Sequence, residues 1–377
     1  MAIFPEHPGR PGGKEGSGAF ENTIPFDVLV LGGGPAGCAA AIKSAESGLK
    51  VAVVERNKFP RERLGETFQP NIESLLIQLG VQSPASVSAL QRVCPTNWIL
   101  DGLTHRFESA AEEPFAQAKN FLPFFGSVDL ALYRRARDLG VVFFSACKAQ
   151  EPVVENGRIA GIRTDKGAFR ARFVIDAGGG GHWLANQLKL RIQPGSPSLT
   201  AIMGYAEGDA DESLALHPRI KLDSKGWTWI CRVVPHLYKW TRVYFSRDAL
   251  PLDWVPGELK HMIYRGSRNP VDVTWRNVNQ PAGPGFFLIG DAAAVLDPAS
   301  SQGVVKALMG ALLVSHLLPK IIKGEMQESQ AVDIYSRSIA NWFRQEVSHL
   351  RNIYSVYPEW QESVGYEARP NPLMLAK

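Results

Sequence analysis

Residues 28–38 read VLVLGGGPAGC, an apolar run that meets three consecutive glycines and then an alanine-rich stretch. A short β-branched run bounded by glycine is the pattern of a buried strand. The alanines over 36–47 favour a helix. A second apolar run, 51–55, ends in an acid. Two short strands joined by a crossover of this length lie parallel, so the chain must contain a βαβ unit. Within it Gly32, Gly34 and Gly37 stand in G-x-G-x-x-G spacing at the mouth of the helix. The first permits a sharp turn, the second lets backbone approach a pyrophosphate, and the third allows close helix–strand contact. Free N–H groups and aligned peptide dipoles at the helix start favour phosphate there. Glu55, at the end of the second run, is placed to accept hydrogen bonds from a ribose diol. Its carboxylate disfavours the extra phosphate of NADP, which leaves FAD and NAD.

A second feature separates those two. Residues 286–289, FFLI, read as a strand, followed by Gly290–Asp291 and then a long helix. An aspartate at that point can bind a ribityl oxygen. The helix start beyond it would face the electron-rich side of an isoalloxazine and stabilise the anion formed on reduction. A nicotinamide nucleotide has no evident need of this distant second contact, so FAD is the expected cofactor.

Composition narrows the field. At 377 residues, with 45% hydrophobic and 21% charged side chains, the chain can bury a large core. Its net charge of +4, from 41 basic and 37 acidic residues, is scattered, giving nucleic-acid binding no support. Cys38, Cys94, Cys147 and Cys231 lie far apart, and the eight histidines show no H-E-x-x-H spacing, so no metal site is assigned. The cysteine usage fits a reducing compartment. The first 23 residues read as a flexible tail without the charged start and apolar core of a signal peptide. Residues 304–322 are apolar but interrupted by Lys306, Ser315, His316 and Lys320, which favours a core helix over a transmembrane one. A cytoplasmic location is expected.

The rest of the pattern is coarser. Helices are expected over 70–79, 129–139 and 331–357, a strand over 141–144, and a hairpin over 153–164 around Asn156–Gly157. Residues 169–175 alternate as a strand and run into DAGGGG at 176–181. Segments between 201 and 280, rich in aromatics such as Trp227, Trp229 and Trp240, read as an antiparallel sheet. The expected organisation is a tail over 1–23; a discontinuous FAD-binding domain from 24–90, 126–200 and 281–325; a substrate-facing subdomain from 91–125 and 201–280; and a helical C-terminal segment over 326–377.

The motif at 32–37, Glu55, FPRERLGET at 59–67 and GDAAAVLDPASSQGV at 290–304 together resemble the flavin monooxygenase superfamily that also holds geranylgeranyl reductases and flavin-dependent halogenases. The resemblance implies an α/β fold: a Rossmann-like FAD-binding domain of the p-hydroxybenzoate-hydroxylase type, with an antiparallel-sheet substrate subdomain and C-terminal helices. It implies FAD contacts from Gly32, Gly34, Ala36, Gly37, Glu55, Arg56, Arg63, Gly290, Asp291, Pro298, Gly303 and Val304, and chemistry in which reduced flavin activates oxygen. That superfamily commonly carries an arginine just before its middle helix, whereas FFGSVDLALYRRA places Arg134 and Arg135 later. Halogenases carry W-x-W-x-I-P, where this chain has Trp227–Thr228–Trp229–Ile230–Cys231, with cysteine for proline. For their active-site lysine only Lys58 and Lys119 are candidates, by type.

GETFQPN at 65–71, GWTWICRV at 226–233 and HLRNIYSVYPEW at 349–360 resemble the LodB/GoxB-like flavoproteins that mature cysteine tryptophylquinone oxidases. That resemblance implies a monooxygenase that hydroxylates a peptidyl tryptophan, with a precursor quinoprotein oxidase as protein substrate, oxygen as co-substrate, and electrons from NAD(P)H or a separate reductase. The alternatives are an isoprenoid reductase, a flavin-dependent halogenase and a flavin-bearing maturation chaperone. Glu66, Trp229 and His182 are the catalytic candidates. Turn capping, sheet packing and a loop or interface contact are their respective structural readings. Trp240 and Cys231 read as core.

Overall fold

A computed structural model of the chain describes residues 26–58, 66–68, 72–81, 97–100, 103–105, 122–124, 128–211, 214, 218–245, 253–265, 269–300 and 302–354. Phe26–Leu31 (β1) and Val51–Val54 (β2) run parallel, joined by helix Pro35–Glu46 (α1). All of β2 and the last four residues of β1 are buried, as a strand covered on both faces requires. Glu66–Phe68 (β3), helix Ile72–Gln78 (α2), Asn97–Leu100 (β4), Leu103–His105 (β5) and Leu122–Phe124 (β6) follow; β3 and β6 pair antiparallel. Helix Val128–Asp138 (α3) leads to Val142–Phe144 (β7), which extends the parallel sheet beside β2.

Ala149–Glu155 (β8) and Arg158–Thr164 (β9) form the expected hairpin. Asn156 and Gly157 turn at φ 50° and 74°, the positive pair a two-residue hairpin turn demands. Gly167–Asp176 (β10) pairs with β9 and then runs parallel to β1, ending near helix Trp183–Gln187 (α4).

Ile192–Pro194 (β11), Thr200–Glu207 (β12), Arg219–Asp223 (β13), Gly226–Val234 (β14), Leu237–Tyr244 (β15), Ile263–Arg265 (β16), Val271–Asp272 (β17) and Arg276–Val278 (β18) come next. A second sheet has the order β16–β12–β15–β14–β13–β4–β5, with β17 also on β12. It is not wholly antiparallel, because β13 and β4 run parallel. Nor does all of 201–280 join it: β18 pairs with β11 and with Ala294–Val295 (β21) in a small separate sheet. Ala282–Gly283 (β19) and Phe286–Leu288 (β20) return to the first sheet, whose order is β19–β20–β10–β1–β2–β7.

Helices Gly303–Ile322 (α5) and Glu328–Tyr354 (α6) close the described chain. By length and composition α5 could cross a membrane. Here Val305, Leu308, Ala311, Val314 and Leu318 are buried in the main core, and the Ser315 hydroxyl donates to the Ala40 carbonyl of α1 at 3.2 Å. Tyr335 of α6 donates to the Leu288 carbonyl at 2.6 Å, a buried bond that ties α6 to β20. Losing such a bond and stranding the carbonyl would cost about 1–3 kcal/mol.

The second sheet divides its aromatics by the period of the strand. Trp227 and Trp229 pack against the main core, whereas Ile230 and Trp240 belong to a second core on the opposite face. Gly204 lies under the Trp240 indole, where a Cβ would come within 2.9 Å of the ring.

Candidate functional site

The parallel strands end together. The Ala177 N–H donates to the Leu31 carbonyl and the Ile289 N–H to the Asp176 carbonyl, each at 2.8 Å. Gly32 turns at φ +98°, and a Cβ there would lie 2.5 Å from the Ala177 carbonyl oxygen. At Gly37 a Cβ would lie 1.9 Å from the Gly32 carbonyl oxygen, so only glycine lets α1 start against the turn. Glu55 is buried; its Oε2 accepts from the Gly33 N–H at 2.8 Å and its Oε1 from the Asn57 N–H at 2.9 Å. The carboxylate thus fastens the glycine turn to the end of β2, beside the position expected for a ribose.

The late turn arrives at the same place. Gly290, at φ +59°, is wedged so that an added Cβ would stand 3.1 Å from the Ala36 Cβ and 3.4 Å from that of Ala307. Residues far apart in sequence therefore bring the starts of α1 and α5 together around a single glycine. Ala36 and Gly37 are buried beneath this junction; Gly32, Gly34, Gly290 and Val304 are half-buried; Asp291, Pro298 and Gly303 are exposed along its open side. The cradle fits an FAD: glycines at the points of closest backbone approach, two helix starts, and one exposed acid, Asp291, placed for a hydroxyl rather than a phosphate. Arg56 is exposed. Arg63 lies outside the described residues, and Glu66 is carried on β3 opposite Phe124.

His182 sits between these turns. At φ 47°, ψ 49°, it adopts a left-handed conformation and is buried. The Arg276 Nε–H donates to its Nε2 at 2.9 Å, so the ring proton is on Nδ1 and is donated to the Ala292 carbonyl, also at 2.9 Å. Arg276 further holds the Thr274 carbonyl at 2.7 Å and the Gly180 carbonyl at 2.9 Å. Burial lowers the imidazole's pKa, and the neighbouring guanidinium acts in the same direction. With both nitrogens engaged, His182 is a neutral strut between the 177–181 loop and the Gly290 turn, which is a positioning task rather than proton transfer.

Three buried charged groups around the site were not singled out by the sequence reading. Asp176 accepts from the Gly178 and Leu184 N–H groups, both at 2.8 Å, and burial raises its pKa to about 6. Asp297 accepts from Ala299 N–H at 2.8 Å, Trp275 Nε1–H at 3.1 Å and Tyr354 O–H at 3.0 Å, and burial lifts it to about 6 as well. It pins the turn that precedes α5 to Trp275, just ahead of β18, and to the last turn of α6. Lys306, buried on α5, lies 3.1 Å from Glu346 and 4.6 Å from the centre of the Trp342 ring. Burial lowers its pKa to about 8, outweighing the carboxylate. The sequence marks each only weakly: Asp176 opens the DAGGGG run after a strand, Asp297 precedes a proline, and Lys306 interrupts an apolar helix, but none of these patterns shows the partner that holds it.

The second sheet supplies an aromatic face. Trp227 is buried with its Nε1–H unpartnered, and Trp229, two residues on, is half-buried on the same side. Trp240, on the opposite face, packs edge-on against Trp254 with ring centres 5.8 Å apart, and Cys231 is buried. Arg134 is exposed, and Arg135 pairs with Glu46 at 2.9 Å instead of reaching the nucleotide groove. Lys58 is exposed, and Lys119 lies outside the described residues. No cluster of metal-binding side chains occurs among the described residues.

Comparison with known proteins brings a correction. A family model described as "FAD dependent oxidoreductase" matches residues 27–60, and one described as "Tryptophan halogenase" matches 125–356, more than half of the chain. A tryptophan 2-halogenase of Chondromyces crocatus is 26% identical over 87% of this chain and 68% of its own. A 1H-pyrrole-2-carbonyl-[peptidyl-carrier protein] chlorinase of Pseudomonas fluorescens is 24% identical over 84% of this chain and 82% of its own. The myxobacterial chondrochloren halogenase shares the fold with a TM-score of 0.75 at 20% identity, covering 93% of this chain and 87% of that one. These findings overturn the LodB/GoxB-like assignment. With it fall the monooxygenase reading, hydroxylation of a peptidyl tryptophan, cysteine tryptophylquinone biogenesis and the quinoprotein oxidase precursor as partner. Two local departures, Cys231 for proline and the unmatched lysine, are outweighed by a pattern spread through the second half of the chain.

Proposed function

This chain belongs to the tryptophan halogenase family, and from that premise we propose that it is an FAD-dependent halogenase. Its substrate class is an electron-rich nitrogen heterocycle, indole or pyrrole, offered free or on a carrier protein. The observation that carries this reading is the halogenase pattern over 125–356 on a fold where two distant glycine turns meet. Bound FAD, reduced and exposed to oxygen, supplies the oxidising power that turns halide into an electrophile. The chain's own residues bind, orient and shield.

In this reading backbone N–H groups at Gly34 and the start of α1 hold the pyrophosphate, Glu55 the ribose, and Asp291 with the start of α5 the ribityl chain and ring. His182, Asp176 and Asp297 fix the loops that carry those contacts. Trp229, half-buried, offers the apolar surface against which a flat heterocycle stacks, with Trp227 buried in the core beside it as its support. Glu66, on β3, is the acid proposed for the flavin pocket. Electrons arrive from NAD(P)H or through a separate reductase. The ring exchanges a C–H for a C–halogen bond, its proton leaves, and oxygen ends as water.

The test supplies the purified chain with FAD, a flavin reductase, NADH, oxygen and either chloride or bromide. Tryptophan, indole and a pyrrole-2-carbonyl carrier protein are the substrates, analysed by mass spectrometry. A product bearing the halogen's isotope doublet is expected from at least one. Consumption of reduced flavin with no halogenated product from any of them would overturn the reading.

A further inference from the structure

A cleft lies against the face of the small sheet opposite the one from which Arg276 reaches His182. It is open to solvent and has a volume of about 470 Å³ between the β11–β18 ladder and one face of α6, within the roughly 300–1,000 Å³ range of small-molecule sites. Gln193 and Asn277 are direct cross-strand partners, and Asn279 follows two residues along on the same face, so three carboxamides stand side by side. Arg344 and Arg351 face them from α6, seven residues apart and hence on one helix face. Arg276, between Trp275 and Asn277, points the opposite way, to His182 and Gly180.

The donors in this cleft are largely unspent. Its lining contains no carboxylate. Arg351 gives one N–H to the Gly195 carbonyl at 2.9 Å, and Arg344 one to the Asn341 side-chain oxygen at 3.3 Å. Neither has an ion-pair partner among the described residues, nor do the three carboxamides make side-chain hydrogen bonds there. Two guanidinium forks and three amide groups around one space match an anion with several acceptor oxygens better than a carboxylate with two. Phe343 and Val347 supply an apolar floor for an organic body.

We propose that this cleft binds a phosphate ester, from a free nucleotide or from the phosphopantetheine arm of a carrier-borne substrate. The test is calorimetric titration of the full chain, first saturated with FAD so that the nucleotide groove is filled. ADP, 4′-phosphopantetheine and inorganic phosphate are the titrants, and Arg344→Gln, Arg351→Gln and the double variant the controls. Retained flavin and the denaturation midpoint, measured separately, report on the fold and on the FAD reading. At least one ester should bind, more weakly as salt rises, with affinity falling about tenfold for each arginine removed. Binding of ADP alone, or of the phosphopantetheine alone, supports the site and identifies its source. No heat with either ester, binding that the double variant leaves unchanged, or inorganic phosphate bound as tightly as the esters would overturn it.

Discussion

Replacing His182 separates a strut from an acid–base group. His182→Ala leaves the buried Ala292 carbonyl without its 2.9 Å donor and the Arg276 Nε–H without its acceptor. Arg276 keeps the Thr274 and Gly180 carbonyls, so its charge stays solvated by protein. Each stranded group costs about 1–3 kcal/mol, and the pair together about 3 kcal/mol. If half of that falls on the Gly290 turn, FAD binding weakens about tenfold. His182→Gln is the informative partner, since a carboxamide presents one N–H donor and one oxygen acceptor but does not titrate. Urea denaturation, FAD titration and turnover are measured for both variants. Alanine should lower stability and FAD affinity together, and glutamine should recover most of both along with turnover. A glutamine variant that is stable and loaded with FAD yet as inactive as alanine would refute the positioning argument and make the imidazole catalytic.

Other substitutions probe the same frame. Gly37→Ala drives a methyl to 1.9 Å from the Gly32 carbonyl oxygen and should abolish FAD uptake, read by flavin absorbance after gel filtration; full retention would contradict the close approach. Asp176 and Asp297 are raised to about 6 in the fold, against about 3.9 for a free aspartate. The native state therefore binds their protons more tightly than the unfolded chain, so their contribution to stability declines as pH rises from about 4 to 6 and is level above that. Each contributes up to about 3 kcal/mol to that decline, and denaturation across this range should give a shallower slope for Asp297→Asn than for the parent. Lys306→Met strands the Glu346 carboxylate and should cost about 3 kcal/mol, most of it recovered in the Lys306→Met, Glu346→Leu double variant, as compared by denaturation.

Local pattern made the nucleotide-binding half readable. Glycine spacing after an apolar strand, an acid at the end of the next and the Asn156–Gly157 hairpin each draw their meaning from a few neighbouring residues. The late GDA turn was legible for the same reason, although its meeting with Ala36 is a tertiary fact. What stayed hidden depends on distant partners. Asp297 is held by Trp275 and Tyr354, and His182 by Arg276 and Ala292, pairings that no sequence period announces. Strand alternation placed aromatics on the second sheet but not the split between Trp227 and Trp240. The reaction is not legible in short motifs because halogenase character is distributed through 125–356 and identity to relatives over most of the chain is only about a quarter, while the short motifs are shared across flavoproteins.

FAD binding in this cradle requires that one flavin nucleotide touch both glycine turns. Amide hydrogen exchange, followed by mass spectrometry with and without stoichiometric FAD, measures this directly. Slowed exchange is expected in peptides covering 32–37 and in those covering 290–293 and 303–305, with little change at the outer strands β16 and β17. FAD that is taken up but protects only one of the two turns, or neither, would contradict it.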